Sequence, residues 1–357
     1  MAVTTSFNYY QELKAHIESA NVTGNSFVVQ GGGTKAFYGR DCPGKILDTR
    51  PCTGVIAYEP TELVITARAG TSLSEIETIL ANEHQMFAFE SPHFGKAATL
   101  GGMVACGLSG PRRPYCGAVR DFVLGVKCLT GKGDVVNFGG QVIKNVAGYD
   151  VSRLMTGALG TLGVLLEISI KVLPQPDYEI SLVKSTDFDS AIKQMNRWAG
   201  QPLPISAACY EQDNLIIRLS GKRSAVKAAM QHLAMDEHPQ GLEYWQKLRE
   251  HQLEFFKTDN ILWRISVPSA TGHLDLSGEW LIDWGGAQRW LKTSEPIAHI
   301  RTVVEAAGGH ATLFKGGDPQ AEIFHPLAPA VKALHKKLKA TFDPNHILNK
   351  GRMYSDF

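Results

Sequence analysis

Three consecutive glycines followed by a Thr-Lys pair are the residues of this sequence best suited to binding an anion. They stand in VVQGGGTKAFYG, where two β-branched residues lead into Gly31, Gly32 and Gly33. Glycine has no Cβ, so successive backbone amides can turn toward one concave surface that suits an anion. The stretch therefore predicts an anion-binding loop, and a tight turn without a ligand is the alternative.

Two familiar nucleotide-binding motifs fit this region only in spacing. Gly31, Gly33 and Ala36 match the dinucleotide fingerprint, which must open a long helix. The following FYGRDCPG places glycine and proline where they would break that helix within two turns. Residues 39–45 have the spacing of a Walker A loop, but Ile46 stands where that motif needs Ser or Thr. We therefore reject both a Rossmann unit and a P-loop.

Two further glycine-rich loops follow, ATLGGMVACGLSG and TGALGTLG. In the first, Gly101, Gly102 and Ser109 offer backbone amides and one hydroxyl to an anionic or flat polar group. In the second, glycines recur at every third residue from Gly157 to Gly163, which permits close approach by a ring system. Three such loops within the first 175 residues predict one extended ligand.

Composition and charge exclude several classes of function. The chain has 357 residues, enough for two domains and a large core. Its net charge is +1 with scattered lysines and arginines, so we expect no nucleic-acid partner. Neither a leader pattern nor an apolar run of eighteen residues is present, so we expect a cytoplasmic protein without direct membrane insertion. The six cysteines form no CxxC pair and no cluster with histidine, so we expect no metal site.

The elements that must position the loops follow from periodicity and turn residues. We expect a helix over Asn8–Ala20, strands at GVIAYEP and LVITARAG, and a hairpin over FVLGVKCLTGKGDVVNF. Ser72 and Glu75 offer a capping box for a helix after the second strand. Alternating apolar and polar residues in VLLEISIKVL predict a half-buried strand over 164–173.

Pro174 and Pro176 mark a domain boundary at 173–177. Beyond it, YEISLVKS, FDSAIKQMNRWAG, NLIIRLSG and SAVKAAMQHLAM alternate between strand and helix patterns, which predicts an α+β module. The tail FDPNHILNKGRM has little apolar periodicity, so its backbone polar groups must be satisfied elsewhere in the protein.

The order of these motifs resembles the flavoproteins of the vanillyl-alcohol oxidase and p-cresol methylhydroxylase (PCMH) type. VVQGGGTKAFYG is similar to their pyrophosphate loop, ESPHFGKAATLGGMVACGLSG to a second flavin-contacting stretch, and IKNVAGYDVSRLMTGALGTLG to the segment closing the domain. The resemblance implies an α+β fold in three parts. These are a two-subdomain PCMH-type FAD-binding domain at 1–175, an α+β cap domain at 176–335 and a C-terminal tail at 336–357 that returns to the FAD domain.

FAD is the cofactor that this resemblance implies. The amides of Gly31, Gly32, Gly33 and Thr34 would hold its pyrophosphate, whose charges need donors once they leave water. The other cofactor-binding residues carried over by motif position are Lys35, Pro92, Thr99, Gly101, Gly102, Ser109, Gly160, Thr161, Gly163 and Ile168. Glu90 and Ser91 accompany Pro92 in this assignment, and the tail around Asn349 and Lys350 would lie nearer the isoalloxazine.

Within the family, chain length and the KNVAGYD segment most resemble the FAD-binding subunits of bacterial glycolate oxidase, also called glycolate dehydrogenase. The resemblance implies an FAD-dependent oxidoreductase that acts on the CH–OH of a 2-hydroxy acid and helps to oxidise glycolate to glyoxylate. Its partners would be a catalytic FAD subunit and an iron–sulfur subunit, through which it would associate with the inner membrane face. A self-sufficient FAD-dependent 2-hydroxy acid dehydrogenase and a noncatalytic scaffold with structural FAD are the alternatives.

The second half of the chain leaves the catalytic residues unknown. Catalytic relatives carry an H-x-G-D-G-N-type segment with paired metal ligands, but here GGHATLFKGGDP leaves His310 alone, and we expect it to be structural. A 2-hydroxy acid needs a cation and a base, yet Arg218 and Arg264 are each expected to be solvated. The tryptophans are expected in the core or at a subunit interface: Trp245, Trp263, Trp280, Trp284 and Trp290.

The first prediction concerns the attachment of FAD. Family members with covalent FAD carry a histidine just after the glycine loop, whereas Thr34, Lys35 and Ala36 stand there in this chain. We expect noncovalent FAD, so acid precipitation of the purified yellow protein should release all its flavin as FAD. Flavin absorbance that stays with the washed precipitate would contradict this expectation, and a thioether to Cys116 would then be the first linkage to examine.

Overall fold

The architecture comes from a computed structural model that describes residues 2–140, 150–257, 260–318 and 320–357. The IKNVAGY part of the sequence, residues 143–149, lies outside the described residues. The resemblance that rests on KNVAGYD is therefore not tested by the structure. Among the described residues, no helix is both long and apolar enough to cross a membrane.

The first part of the chain carries the glycine loops on short elements. Its helices are α1 (Ala2–Thr23), α2 (Leu73–Asn82), α3 (Leu100–Cys106), α4 (Arg113–Cys116), α5 (Val119–Phe122) and α6 (Val151–Met155). Its strands are β1 (Phe27–Gln30), β2 (Lys45–Asp48), β3 (Val55–Glu59), β4 (Val64–Arg68), β5 (Gln85–Met86), β6 (Val123–Leu129), β7 (Val135–Gly139), β8 (Val164–Lys171) and β9 (Leu173–Pro174). The structure confirms the predicted helix over Asn8–Ala20, the strands at GVIAYEP and LVITARAG, and the hairpin over FVLGVKCLTGKGDVVNF.

The second part is built on longer strands. They are β10 (Tyr178–Ser185), β11 (Ile205–Glu211), β12 (Asn214–Gly221), β13 (Asp236–Glu237), β14 (Leu262–Ser266), β15 (Glu279–Asp283), β16 (Gln288–Lys292) and β17 (His310–Lys315). The helices are α7 (Phe188–Ala199), α8 (Arg223–Leu233), α9 (Gly241–Arg249), α10 (Ile297–Ala306) and α11 (Pro329–Phe342). Short 3₁₀ turns lie at Pro60–Glu62, Glu254–Phe256 and Trp284–Gly286.

A five-stranded antiparallel sheet, in the order β3-β4-β8-β6-β7, forms the centre of the first part. Its middle strand β8 buries Leu166, Ile168 and Ile170, as the alternation predicts. The expectation that β8 is half-buried is wrong, because Leu165 and Ser169 on the other face are each only 8% exposed. The Ser169 hydroxyl is satisfied there by the Thr66 hydroxyl at 2.8 Å.

Helix α2 begins where its predicted capping box stands, but the cap itself is absent. The Ser72 hydroxyl is 2.8 Å from the Ser74 hydroxyl and makes no hydrogen bond to a helix amide. Because Ser74 is close enough to compete, the hydroxyl is diverted from the amide that a capping box would satisfy. Helix α3 is capped more conventionally, since the Thr99 hydroxyl accepts a hydrogen bond from the Gly102 amide at 3.2 Å.

An eight-stranded sheet, in the order β13-β10-β12-β11-β15-β16-β14-β17, forms the second part. On one face it packs against residues of α7 and α8, including Ile192 and Val226. On the other face it packs against Trp245 of α9 and against residues of the first part, including Tyr38 and Leu159. Four of the five tryptophans predicted for the core or an interface are buried, with Trp263 only 1% exposed, whereas Trp280 is only partly buried.

A buried ion pair fixes the C-terminal tail to the first part of the chain. Lys339 of α11 and Asp343 are 1% and 0% exposed, with 2.7 Å between Nζ and Oδ2. The ammonium also donates to the carbonyls of Thr161 and Leu348, at 2.8 and 2.7 Å. The second Asp343 oxygen accepts from the Ile347 amide at 3.1 Å. These contacts satisfy the tail backbone, as predicted from its lack of apolar periodicity.

This pair generates the second prediction. Replacing Lys339 with Met should lower the free energy of unfolding by about 3–5 kcal/mol, because Asp343 would remain buried as a carboxylate without its cation. Urea unfolding followed by far-ultraviolet circular dichroism measures the change. The matched control is Lys337→Met on an exposed turn of the same helix, which should shift stability by no more than about 0.5 kcal/mol. Equal losses in both variants would contradict the assigned role of the pair.

Candidate cofactor site and neighbouring cavity

The three glycine loops meet around one cavity, as the sequence predicts. The cavity has an empty volume of about 960 Å³, counting the part open to solvent. The predicted cofactor residues that line it are Gly31, Gly32, Gly33, Thr34, Lys35, Thr99, Gly101, Gly102, Gly160 and Gly163. Residues from three distant segments therefore converge on one surface.

The backbone amides of the first glycine loop make this cavity suitable for an anion. Among the described residues, none of the amides from Gly31 to Lys35 donates a hydrogen bond to another protein atom. Gly33 has a φ of +69°, a left-handed conformation that side-chain-bearing residues rarely adopt. A run of amide donors without protein acceptors is a nest for an anion, and a negatively charged ligand would satisfy it.

The missing Cβ atoms of this loop serve the packing of the chain itself. A Cβ on Gly32 would lie 1.5 Å from the Ala97 carbonyl oxygen, and one on Gly31 would lie 2.4 Å from the Thr99 hydroxyl. Packing within the chain is therefore one reason for glycine at these two positions. They let two glycine-rich segments pack together, and both segments line the cavity.

Lys35 supplies a positive charge beside the amides. Its side chain is only 7% exposed, and burial lowers the pKa of its ammonium. The ammonium donates to the His93 carbonyl at 3.3 Å and lies 5.7 Å from the centre of the Phe94 ring. A buried ammonium with one carbonyl acceptor gains most from an anionic ligand. Lys35 and the amide nest therefore favour the same kind of ligand.

The tail closes the cavity from the opposite side. Asn349 lines it, accepting a hydrogen bond from the Val29 amide at 2.7 Å and donating one to the Leu159 carbonyl. The Arg352 guanidinium, which donates to the Tyr38 carbonyl at 2.8 Å, lines the cavity as well. One asparagine thus joins β1, the third glycine loop and the tail.

Besides Glu90, Ser91 and Lys350, four predicted cofactor residues do not line this cavity. Pro92 and Ser109 line a second, smaller cavity. Ile168 is buried within the five-stranded sheet, and the Thr161 hydroxyl donates to the Ala158 carbonyl at 2.7 Å. The contact of these four residues with a cofactor stays a prediction.

Sequence reasoning missed several small residues in the cavity wall. Ala105 and Cys106 line it from the face of α3 that carries the predicted Gly102, three and four residues before them. Their spacing of three and four residues along a helix was the available signal, since such residues share a helix face. Small side chains on that face leave room for a flat ligand.

The second cavity lies beside the first, with an empty volume of about 340 Å³ when the part open to solvent is counted. Cys106 lines the first cavity, while Leu108 and Ser109 of the same segment line the second. The floor of the second cavity is polar and comes from the cap sheet, with Arg264 of β14 and Asp283 of β15. The prediction that Arg264 is a solvated arm is therefore wrong.

Burial shifts the pKa values of two titratable groups that line the second cavity. Burial is the largest cause that raises the pKa of Asp283 to about 7, with Glu90 adding to the effect and Arg264 opposing it. Burial, with Arg264 and Lys315 nearby, lowers the pKa of His251 to about 3. At neutral pH the histidine is uncharged and the aspartic acid is close to its titration point.

Arg218 is also buried, at 4% exposure, which corrects the prediction of a solvated arm. Its Nη2 lies 2.9 Å from Glu90, and the Arg112 Nε lies 3.3 Å from the same carboxylate. Although burial opposes it, Arg218 and Arg112 hold the pKa of Glu90 below its usual value. Glu90 therefore joins the glycine-rich part to the cap sheet. The predicted role of Glu90 at the cofactor remains untested.

His310 forms no metal cluster in the described part of the chain, where no group of three or more potential ligands was found. The neighbouring His325 accepts a hydrogen bond from the Ala311 amide at 3.4 Å. This contact agrees with a structural role for His325, and the structural role of His310 stays a prediction.

Comparison with known proteins places this geometry in a family. The model of a family described as an FAD binding domain matches residues 6–139. Glycolate oxidase subunit GlcE of Escherichia coli (strain K12) is 49% identical over 349 residues, which is 98% of both chains. The chain belongs to the FAD-binding family of GlcE. The predicted family resemblance and FAD as cofactor are thereby confirmed.

More distant relatives agree with this family. D-lactate dehydrogenase of Archaeoglobus fulgidus is 28% identical, over 63% of this chain and 51% of its own length. Among solved structures, an alkyldihydroxyacetonephosphate synthase matches with a TM-score of 0.66 at 16% identity, covering 95% of this chain and 75% of its own. The structural likeness shows the fold alone, and it agrees with the predicted α+β class.

The third prediction tests where FAD binds. Ala105→Leu should reduce the flavin that co-purifies with the protein to about a tenth or less, because a branched side chain would occupy the cavity wall. The ratio of flavin to protein absorbance measures retention. Ala81→Leu, on an exposed position of α2, is the matched control and should keep its flavin. A full flavin complement in a folded Ala105→Leu protein would show that FAD binds elsewhere.

Proposed function

We propose that this chain is the FAD-binding subunit of a multisubunit glycolate oxidase and takes part in the oxidation of glycolate to glyoxylate. The observation that carries the proposal is the 49% identity to GlcE across 98% of both chains. A relative at that identity and coverage, whose printed name describes a subunit of glycolate oxidase, supports the same role here. The cavity lined by unpaired amides supports an FAD site that has kept its binding surface.

Within this proposal, the amides of Gly31 to Thr34 hold the FAD pyrophosphate and Lys35 balances its charge. Thr99, Gly101, Gly102, Gly160 and Gly163 form the surrounding wall. Bound FAD supplies the two-electron redox chemistry of the complex. The chain's own residues bind and orient it, and the tail residue Asn349 holds the first and third loops at a fixed separation.

We also propose the domain division expected from the sequence. All strands of the five-stranded sheet lie between Val55 and Lys171, and all strands of the eight-stranded sheet lie between Tyr178 and Lys315. This separation supports an FAD-binding domain at 1–175, a cap domain at 176–335 and a tail at 336–357. The tail contacts of Lys339 support its return to the FAD domain.

The partners in this proposal are a catalytic FAD subunit and an iron–sulfur subunit. These partners would accept electrons and connect the cytoplasmic complex to the inner face of the membrane. A subunit name in the relative supports a complex, and an assembly of this kind agrees with the absence of a spanning helix among the described residues. A scaffold without FAD is less well supported, because unpaired amides and a buried lysine are costly without an anion. A noncatalytic scaffold with structural FAD stays an alternative.

A self-sufficient 2-hydroxy acid dehydrogenase is the second candidate, favoured by one observation. The second cavity places a guanidinium and a titratable carboxyl beside the proposed FAD site. Relatives named D-lactate dehydrogenase agree with such chemistry, although they match only part of their length.

The fourth prediction separates these candidates. We expect the isolated, FAD-loaded chain to oxidise glycolate or D-lactate at least about a hundred-fold more slowly than the complex with its partner subunits. The reason is that substrate positioning accounts for several powers of ten in rate, and the partner subunits would supply it. Dye-linked assays of both preparations, normalised to flavin content, measure the difference. Comparable turnover per flavin in the two preparations would favour the self-sufficient enzyme over the subunit.

A further inference from the structure

A groove runs between helix α1 and strand β2, in the part of the chain that carries the glycine loops. Its empty volume is about 830 Å³, counting the part open to solvent. All four residues of β2 line it. Opposite them, α1 contributes residues three and four positions apart, which share one face of a helix, among them Tyr9, Leu13, His16 and Ala20. This α1–β2 groove shares no lining residue with the FAD cavity.

One edge of β2 carries backbone groups that no described strand uses. β2 belongs to a two-stranded parallel sheet and pairs with β1 alone. The Lys45 amide donates to the Ser26 carbonyl at 3.0 Å, and the Thr49 amide donates to the Gln30 carbonyl at 2.9 Å. Because alternate residues of a parallel strand face the same neighbour, the amide and carbonyl of Ile46 point away from β1. Among the groups that the structure describes, neither has a hydrogen-bond partner.

The end of the groove at Asp48 is already satisfied within the chain. The Tyr9 hydroxyl donates to the Asp48 carbonyl, which also faces away from β1. The Asp48 carboxylate accepts from the Arg50 guanidinium, with 2.7 Å between Oδ2 and Nη2. The backbone that stays open to a ligand is therefore centred on Ile46.

The groove has an apolar floor and a charged rim. Leu13, Phe27 and Leu47 line it and are buried, whereas the side chain of Ile46 is 62% exposed. Lys45 is exposed at the rim and has no carboxylate within 4.0 Å among the described residues. A lysine at a free strand edge opposes pairing with an arbitrary strand. A strand that brings an acidic residue beside it would turn this opposition into attraction.

We infer that the α1–β2 groove binds an extended segment of a partner subunit, which adds to β2 as a further strand and places an acidic residue beside Lys45. An extended polypeptide is the ligand whose own amides and carbonyls match the free groups of Ile46, while its alternate side chains reach the apolar floor. The inference rests on the proposed function, because it assigns to this chain a surface by which it joins the complex.

A second copy of this chain fits the groove less well. If β2 paired with β2 of another copy, the acidic residue would have to come from the sequence KILD. Its one acid is Asp48, whose carboxylate is already bound by Arg50. Lys45 would then stay without a counter-ion in both copies. Charge therefore favours a different chain as the occupant.

Hydrogen–deuterium exchange tests the inference at the backbone group that carries it. The FAD-loaded chain is measured alone and in the complex co-expressed with the catalytic FAD subunit and the iron–sulfur subunit. We expect the Ile46 amide to exchange rapidly in the isolated chain and about ten-fold or more slowly in the complex, because it then donates to the added strand. The Leu47 amide, which faces β1, is the internal control and should be protected in both preparations.

Ile46→Pro provides the matching variant. Proline removes the outward-facing donor, and the pairing with β1 does not use that amide. Partner subunits that co-purify with the tagged chain should fall to about a tenth or less, the usual effect of losing a hydrogen bond and strand pairing. Ile46→Thr keeps both the amide and the β-branched side chain, so this matched control should keep its partners. The flavin content of both variants shows whether they fold.

If Ile46→Pro loses its flavin, Lys45→Glu decides instead. This exposed substitution keeps every backbone group and reverses the charge at the rim. An acidic residue in the added strand would then be repelled, so partner retention should fall by about five-fold or more. Full retention by a flavin-loaded Lys45→Glu chain would overturn the inference.

The outcomes separate this inference from the proposed function. Unchanged exchange of the Ile46 amide in an active complex, or full partner retention by a folded Ile46→Pro chain, would overturn only the inference. Protection of Ile46 in the isolated chain, with the mass of a dimer by light scattering, would assign the groove to a second copy and also overturn it. An unchanged chain that co-purifies with neither partner subunit would contradict the proposed function, and the inference with it.

Discussion

The buried ion pair between Lys339 and Asp343 is the interaction on which the arrangement of the cofactor cavity depends. An ammonium that is 1% exposed is stable only because three oxygens from the third glycine loop, the tail and Asp343 surround it. That geometry places Asn349 between Val29 and Leu159. The contact with Val29 joins residues 320 positions apart in the sequence, so the cavity is complete only when the tail has docked.

The two cavities share one physical feature, which is positive polarity that the described protein leaves without a negative partner. In the first cavity the polarity comes from backbone amides and Lys35. In the second it comes from Arg264, oriented by Gln288. Other buried charges are compensated within the protein, as in the pairing of Glu90 with Arg112 and Arg218. The contrast separates charges that are paired within the protein from those that are not.

The glycines of the first loop serve the packing of the chain as well as the proposed binding surface. Gly31 and Gly32 lack side chains because Thr99 and Ala97 occupy the space, and this packing directs the neighbouring amides toward the cavity. A close approach within the chain therefore creates the surface for the ligand. The glycines cannot be assigned to folding or to binding alone, which is why a substitution at Ala105, in the cavity wall, reports on binding more cleanly.

The sequence by itself determined the glycine loops, the hairpin, most helices and strands, and the family. These depend on local chemistry, such as the conformational freedom of glycine, side-chain alternation along a strand and the order of motifs. It did not separate Arg218 from Arg264, since each stands among apolar residues of a strand. Only the tertiary structure pairs Arg218 with Glu90, from a segment 128 positions away, and leaves Arg264 without a carboxylate. Charge compensation in a buried site depends on which distant segments meet, and strand register and packing decide that.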